Sequence, residues 1–409
     1  MNLVEHCIDL LSQLIEIPTV NPPGTNYDRM AKLLKSYLEE LGFEVRIIEI
    51  PESYLDQHYP YAPQHRGYPR YLVLARNCSD RIDLHVNGHY DVVPPGDGWS
   101  YDPFKATIVE NRVYGRGATD MKSGIACMLT ALRYVVERNE LRGCVELAFV
   151  PDEESGGIGT KYLVEVLGVA PRYVLIAEPT TSERIAVGHK GMVRGVVKVF
   201  GRQGHASRPW RAVNAFEKGC LLVSKILEPF HRYARSKPST LPFDEEEAKF
   251  VTVALGGWVR TSAMKDNVIP GEFSFSFDMR TIPEVGNEEA FRFFENLVKN
   301  VAKELGIDAV VEKRIDIPPA STPLDSPLLS FVKSIASSIL GFEPRIFVNT
   351  GRYDLVFYRS KGSHVVVYGP GAKGTAHAVN EYVTIEELEK FVRIYVEILR
   401  RLEKLRELA

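Results

Sequence analysis

Short apolar runs alternate with amphipathic stretches along the first half of the chain, and this alternation is the strongest constraint on its fold. Residues 122–138 repeat apolar side chains at helical spacing, whereas residues 145–150 and 173–177 are short apolar runs typical of buried strands. Strands that alternate with helices favour a mostly parallel sheet with helices on both faces. We therefore predict an α/β domain, to which the chain returns at the valine-rich run 364–368.

The pattern changes near residue 190, where strand and helix signals follow in the order β-α-β-β-α-β. This order is that of a split βαβ, ferredoxin-like unit, and 409 residues exceed the length of one typical domain. We predict a first domain formed by residues 1–188 and 316–409, with an α+β domain inserted at residues 189–315. Residues 51–69 are rich in Pro, Tyr and His, and we expect them to form a surface insertion.

Composition and charge exclude several classes of protein. The net charge is only −3, so the sequence lacks the excess of basic residues typical of proteins that bind nucleic acid or an anionic membrane. No apolar run approaches 18 residues, and the first residues lack the positive charge of a signal peptide. Five scattered cysteines without a CxxC pair argue against a disulfide framework. We expect a cytoplasmic protein.

Side chains able to bind a metal ion follow four of the predicted strands and precede one helix. They are His89 and Asp91 after residues 82–86, Asp120 before residues 122–138, Glu153 and Glu154 after residues 145–150, Glu178 after residues 173–177, and His377 after residues 364–368. Ligands bind beyond the carboxyl ends of strands in an open α/β sheet, so these side chains should converge. Imidazoles and carboxylates without thiolates suit zinc, and also cobalt or manganese.

One ligand from each of these five places would already exceed the three or four of a single catalytic metal, and a carboxylate that bridges two metals explains the surplus. Each residue alone has an ordinary structural explanation. A buried histidine is more often a hydrogen-bonded core residue, Asp120 could be a helix N-cap, and Glu153 and Glu154 could be an exposed loop pair. The convergence of several strand ends favours the metal site.

Four of these runs, at residues 88–94, 115–124, 151–154 and 377–381, closely resemble one family of metallopeptidases. It is the family of acetylornithine deacetylase, succinyl-diaminopimelate desuccinylase, aminoacylase and glutamate carboxypeptidase. The resemblance extends over almost the whole chain in order and spacing. It implies a phosphorylase/hydrolase-like catalytic domain, an inserted dimerisation (lid) domain, and hydrolysis of an amide bond in a small N-acyl amino acid or a short peptide.

The resemblance also implies which residues hold two divalent metals, with zinc expected first. His89, Asp120 and Glu178 would hold one metal. Asp120, Glu154 and His377 would hold the other, so that Asp120 bridges the pair. The peptide bond that follows the bridging aspartate would be cis.

Two further carboxylates have implied roles beside the metals. Asp91 would accept the second imidazole N–H of His89 and fix its tautomer, a role that the chemistry of metal-bound histidine expects independently. Glu153 would be the general base and acid, which takes a proton from the attacking water and passes it to the leaving amine.

The inserted domain contributes further candidates through the same resemblance. His205, in residues 201–209, would reach the active site of the partner subunit and stabilise the oxyanion, which implies a homodimer. Asn267 and Arg280 would hold the substrate, and Arg280 would bind the carboxylate of the substrate. Arg352 would face the substrate. The residues alone leave a loop histidine and a solvated strand end as alternatives for His205 and Arg280.

Other functions remain as alternatives. A di- or tripeptidase or carboxypeptidase of the same family is not separated from a deacylase by any feature of the sequence. Residues 369–374 match the pattern GxGxxG of a nucleotide-binding protein, but we interpret them as a turn that positions His377, because no long helix follows. A non-catalytic metal-dependent binding protein is disfavoured by the presence of Glu153. His85, four residues before His89, is interpreted as structural.

Overall fold

Two units make up the chain in the computed structural model, which describes residues 2–79 and 81–407. Unit 1 comprises Met1–Val187, Thr322–Ile346 and Tyr353–Ala409. Unit 2 comprises Gly188–Ser321 and the short segment Phe347–Arg352. The insertion thus continues six residues beyond the expected end at residue 315, since a strand that runs to Ile317 belongs to the unit 2 sheet.

The strands and helices are numbered in chain order. The strands are β1 (Glu44–Ile50), β2 (Arg70–Arg76), β3 (Leu84–His89), β4 (Thr107–Val109), β5 (Arg112–Tyr114), β6 (Val145–Val150), β7 (Tyr173–Pro179), β8 (Arg184–His189), β9 (Gly191–Phe200), β10 (Gly204–His205), β11 (Thr252–Thr261), β12 (Val268–Ile269), β13 (Glu272–Thr281), β14 (Asp308–Ile317), β15 (Ala320–Ser321), β16 (Arg345–Asn349), β17 (His364–Gly369) and β18 (Tyr382–Thr384). The helices are α1 (Leu3–Ile15), α2 (Tyr27–Glu40), α3 (Glu52–His58), α4 (Lys122–Glu137), α5 (Ile158–Lys161), α6 (Ala215–Arg235), α7 (Gly286–Glu304), α8 (Pro327–Leu340), α9 (Leu355–Arg359), α10 (Ile385–Arg400) and α11 (Leu402–Glu407).

The central sheet of unit 1 is mixed, not mostly parallel as expected. Its strands lie in the order β1-β2-β6-β3-β7-β17-β8, and only the four central strands, β6-β3-β7-β17, are mutually parallel. β1, β2 and β8 pair antiparallel at the two sides. Residues 180–183 between β7 and β8 are too few for the crossover that a parallel partner requires, so β8 must return in the opposite direction.

The parallel strands position the predicted site. β3 and β6 are buried along their whole length, as strands in the centre of a covered sheet should be. α1, α4 and α10 pack against one another, while α2 packs against β1 and β2. The carboxyl ends of the four parallel strands therefore meet at one edge, where the loops after them carry the candidate ligands.

Residues 51–69 are mostly exposed, as expected, but three of their side chains pack inward. Leu55, Tyr59 and His65 are buried, and the hydroxyl of Tyr59 donates a hydrogen bond to the side chain of Asn21 at 2.7 Å. The Tyr59 ring also lies 4.7 Å from the guanidinium of Arg70. Tyr59 thus packs over a buried cation, whereas Tyr61 and Tyr68 of the same segment stay exposed.

Unit 2 contains a four-stranded antiparallel sheet in the order β11-β13-β9-β14, with α6 and α7 packed against it. Along the chain these elements follow as β-α-β-β-α-β, the predicted order. Alternate phenylalanines of β13 are buried, and Phe277 contacts Phe294 of α7 with ring centroids 5.1 Å apart. β10 and β12 form a separate short ribbon.

The cysteines depart from expectation, because the structure joins Cys78 and Cys144 in a disulfide with Cα atoms 5.8 Å apart. These residues are 66 positions apart in the chain, but they flank the paired strands β2 and β6, which brings them together. Among the described helices, none combines the length and the apolar character needed to cross a bilayer.

Candidate active site

Strand ends and the loops after them deliver the predicted ligands to one place in unit 1. His89 is the last residue of β3, and Glu154 lies four residues beyond the end of β6. Asp120 precedes α4, and the bond between Asp120 and Met121 is cis, as expected. The imidazole Nε2 of His89 lies 3.1 Å from Asp120 Oδ1, and Nε2 of His377 lies 2.9 Å from Glu154 Oε1. His377 is also 3.3 Å from Asp120 Oδ2, so Asp120 stands between the two histidines.

Two groups of side chains offer donor atoms close enough to share an ion. In the first group, His89, Asp120 and Glu154 place one ligand atom each within 4.8 Å of one another, and in the second, His89, Glu153 and Glu178 do so. Imidazole nitrogen and carboxylate oxygen are donors that zinc accepts. The residues therefore fit a divalent metal pair, although Glu153, expected only as the proton carrier, lies among the donors of the second group.

Asp91 is fully buried and holds the two glutamates as well as the histidine. One of its carboxylate oxygens lies 3.5 Å from Nδ1 of His89, whose closer partner is the Asp91 carbonyl at 3.1 Å. The carboxylate also accepts the backbone N–H groups of Glu153 and Glu154 at 3.1 and 3.2 Å. A single carboxylate thus orients the imidazole and the loop that carries Glu153.

The site concentrates negative charge out of water. Burial raises the pKa of Glu178 well above its usual value, and the nearby Glu153 raises it further. Burial likewise raises the pKa of Glu154. Hydrogen bonds to Asp120 and Glu154 raise the pKa of His377 to about 10. Carboxylates that resist ionisation in this way are stabilised when a divalent cation supplies the missing positive charge.

Sequence reasoning missed a buried polar network beneath these carboxylates. Asp152, with a φ of 61°, accepts hydrogen bonds from Arg70, Tyr27 and Asn21 at 2.8–3.0 Å. Asn21 also donates to Asp91 at 3.0 Å, which links the network to His89. The available signal was a third acidic residue directly before Glu153, at the end of an apolar strand.

The candidates predicted in the insertion lie in unit 2. His205 of β10 accepts the hydroxyl proton of Ser207 at 2.8 Å through Nδ1, and its Nε2 lies 3.5 Å from the amide nitrogen of Asn267. Arg280 donates to Asp278 at 2.7 and 3.2 Å. Arg352 ends the segment that returns to unit 2. Within unit 2, His205 and Asn267 are therefore neighbours.

Two other interpretations agree with the structure. His85 is buried between Glu146 and Tyr358, at 2.8 and 2.9 Å, and has a structural role. Residues 370–381, which include most of the glycine-rich run, form turns that lead to the short strand β18 and carry His377. The strand β18, rather than a helix, directly follows these turns, unlike a nucleotide-binding loop, which opens directly into a helix.

Comparisons with known proteins identify the family. The model of peptidase family M20/M25/M40 matches residues 85–401. A succinyl-diaminopimelate desuccinylase of Nautilia profundicola is 29% identical over 400 residues, which covers 96% of this chain and 98% of the relative.

Solved structures share the fold. An aminopeptidase of Bacillus cereus has a TM-score of 0.77 at 20% identity and covers 98% of this chain and 99% of its own. A dinuclear metal-binding peptidase of Bacillus subtilis has a TM-score of 0.67 at 15% identity and covers 99% of both chains. At these identities the likeness shows the fold alone. The family match over residues 85–401 shows that the chain is a member of peptidase family M20/M25/M40, a metallohydrolase that acts on amide bonds.

Proposed function

We propose that this enzyme uses two divalent metal ions, zinc first, to cleave the amide bond of a small N-acyl amino acid such as acetylornithine or succinyl-diaminopimelate. The observation that carries the proposal is the pair of overlapping donor groups, centred on His89, at the carboxyl edge of the parallel strands. The relative named succinyl-diaminopimelate desuccinylase matches nearly the whole chain, which supports this substrate class.

The residues that would hold the metals are those expected from the sequence. His89, Asp120 and Glu178 would hold one ion, and Asp120, Glu154 and His377 the other. The position of Asp120 between the two imidazoles supports its bridging role. When bound, such a pair polarises the scissile carbonyl and lowers the pKa of water toward 7.

Glu153 is the proposed proton carrier. It is nine-tenths buried, and a ligand atom of its carboxylate lies within 4.8 Å of those of His89 and Glu178. It would take a proton from the attacking water and return it to the leaving amine nitrogen. Asp91, which binds the backbone N–H of Glu153, would keep this carboxylate in place.

Unit 2 would supply substrate contacts. We propose that His205 of the partner subunit stabilises the oxyanion and that Asn267, Arg280 and Arg352 hold the substrate, with Arg280 on its carboxylate. The contact between His205 and Asn267 supports their acting together. The proposal keeps the homodimer and the cytoplasmic location expected from the sequence, although the disulfide between Cys78 and Cys144 weighs against a fully reducing compartment.

The test is amine release from a panel of acetylornithine, succinyl-diaminopimelate, several acetyl-amino acids and a few dipeptides, with and without chelator. We expect chelator-sensitive turnover of an N-acyl amino acid. Glu153→Gln should bind metal normally but turn over about 10²–10⁴-fold more slowly. The matched control is Glu387→Gln, a buried glutamate that binds Ser182 instead. Normal turnover by Glu153→Gln would refute its role.

A peptidase is the second candidate, because the similar structures from Bacillus cereus and Bacillus subtilis are described as an aminopeptidase and a peptidase. The same panel separates the two functions. Turnover of dipeptides without turnover of acyl amino acids would establish the peptidase and refute the deacylase.

A further inference from the structure

We propose that Glu381 is a positioning residue of the metal centre, which fixes the backbone that carries the bridging Asp120. The inference rests on the proposed metal site and deepens it. Glu381 lies four residues after His377 and is fully buried, with no exposed surface. It is neither among the predicted ligands nor in either donor group.

The carboxylate of Glu381 binds the loop before α4 through both oxygens. Oε1 accepts the backbone N–H groups of Thr119 and Asp120 at 2.8 and 2.9 Å. Oε2 accepts the N–H of Gly117 at 3.0 Å and the guanidinium of Arg116 at 2.6 Å. Four donors thus converge on two oxygens, which saturates the carboxylate and leaves the loop little freedom to rotate.

Arg116 extends this arrangement to the other segments of the site. It is buried to 1% exposure, and its second amino group lies 3.1 Å from the carbonyl of Pro95 and 3.4 Å from that of His377. Pro95 follows the loop of His89 and Asp91. The Glu381–Arg116 pair therefore ties together the three segments that carry His89, Asp120 and His377.

These contacts have a consequence for metal binding rather than for folding alone. One of the N–H groups that Glu381 accepts belongs to Asp120 itself. Loss of this hydrogen bond would let the peptide group of Asp120 rotate and would thereby turn the Asp120 carboxylate. Partners that orient metal ligands affect affinity strongly, and their loss costs about 10–100-fold. We infer that Glu381 sets the orientation of the carboxylate that two ions would share.

Glu381→Gln is the sharpest substitution because it preserves shape. One end of the amide becomes an NH₂ group, and in either orientation that group meets two donors, either Thr119 and Asp120 or Gly117 and Arg116. At least two hydrogen bonds are replaced by donor–donor contacts. Glu381→Asp keeps the charge but is one methylene shorter, and should give an intermediate effect.

The matched control is Glu387→Gln. Glu387 is also a buried glutamate of unit 1, at 7% exposure, and accepts both the backbone N–H and the hydroxyl of Ser182. Its substitution removes a buried charge without forcing a donor–donor contact, because the amide oxygen can still accept the Ser182 N–H while the NH₂ group donates to the Ser182 hydroxyl. Glu387 binds the backbone of none of the predicted ligands through these contacts. The control variant should lose less thermal stability without metal than Glu381→Gln, so it reports the effect on zinc binding of replacing a buried glutamate elsewhere in unit 1.

The experiment is zinc competition with a chromogenic chelator on the full-length metal-free proteins, together with their thermal unfolding. We expect wild type and Glu387→Gln to bind two zinc ions with equal affinity, and Glu381→Gln to bind at least one of them about 10–100-fold more weakly. Equal affinity of Glu381→Gln and wild type would overturn the inference and leave the proposed function intact. A wild type that binds no zinc would overturn both. If Glu381→Gln does not fold, Glu381→Asp carries the same comparison.

Discussion

Replacement of Arg70 by methionine should destabilise unit 1 by an amount that depends on pH. The Arg70 side chain is fully buried, donates to Asp152 at 2.8 Å, and lies over the rings of Tyr59 and Tyr27. Methionine fills similar volume but leaves the Asp152 carboxylate with neutral donors only. Loss of one partner of a buried ion pair costs about 3–5 kcal/mol, a large part of the roughly 5–15 kcal/mol that stabilises a typical protein.

The pH dependence follows from Asp152. Burial raises its pKa from 3.8 to about 6, although Arg70 opposes the shift. The folded protein therefore binds more protons than the unfolded chain between pH 3.8 and pH 6. Ionisation of this buried carboxyl lowers the stability of the folded state as pH rises through that window. Without Arg70 the folded pKa rises further, so the cost continues to grow above pH 6. The difference between variant and wild type should reach about 3–5 kcal/mol at pH 8. At pH 5 it should be smaller by up to about 2.7 kcal/mol, since each pH unit between 6 and 8 adds at most about 1.36 kcal/mol.

Thermal unfolding of the metal-free proteins at pH 5 and pH 8 tests this reasoning. For a cooperative unit of about 270 residues, the loss corresponds to a fall in Tm of roughly 5–9 °C at pH 8. Arg66→Met is the matched control, because Arg66 pairs with Asp56 at the surface and should contribute less than about 1 kcal/mol. The double variant Arg70→Met/Asp152→Asn should recover much of the loss. An equal loss at both pH values would refute the reasoning.

Three further predictions concern single side chains. In Gly124→Ala the new Cβ would lie 2.0 Å from the carbonyl oxygen of Ala177, so α4 or β7 must shift, and the urea midpoint should fall by the equivalent of about 1–3 kcal/mol; an unchanged midpoint contradicts this. Asp91→Asn should weaken zinc binding about 10–100-fold in chelator competition, since His89 loses its charged partner, and wild-type affinity would exclude that role. His205→Asn should lower kcat about 10²–10³-fold while sedimentation still shows the wild-type assembly, and undiminished turnover would exclude it from the oxyanion site.

Elements with a strong local pattern were predictable. The strand at residues 145–150 has the predicted bounds, and the helix predicted at residues 122–138 ends one residue earlier. Short strands were missed, because β4, β5 and β18 have three residues each and owe their existence to partners far along the chain. Val113 of β5, for example, pairs with Val383.

Side-chain contacts also divide into those that a local pattern predicts and those that depend on distant parts of the chain. Thr384 caps α10 by accepting the N–H of Glu387 at 3.2 Å, a contact that the local spacing of a Thr three residues before a Glu favours. In a capping box the Glu387 carboxylate would accept the N–H of Thr384, but here it accepts the N–H and the hydroxyl of Ser182, 205 residues away. A local motif thus predicts a cap, but it cannot reveal a stronger partner that tertiary packing brings close.

The sequence by itself determined which side chains could bind metal and that they follow strands, because apolar periodicity and the order of motifs are local properties. Only the tertiary structure decided that the sheet is mixed, that Cys78 meets Cys144, and that Glu381 holds the backbone of Asp120. The physical reason is distance along the chain. Hydrogen bonds between segments hundreds of residues apart depend on how the strands are ordered, and no local pattern encodes that order.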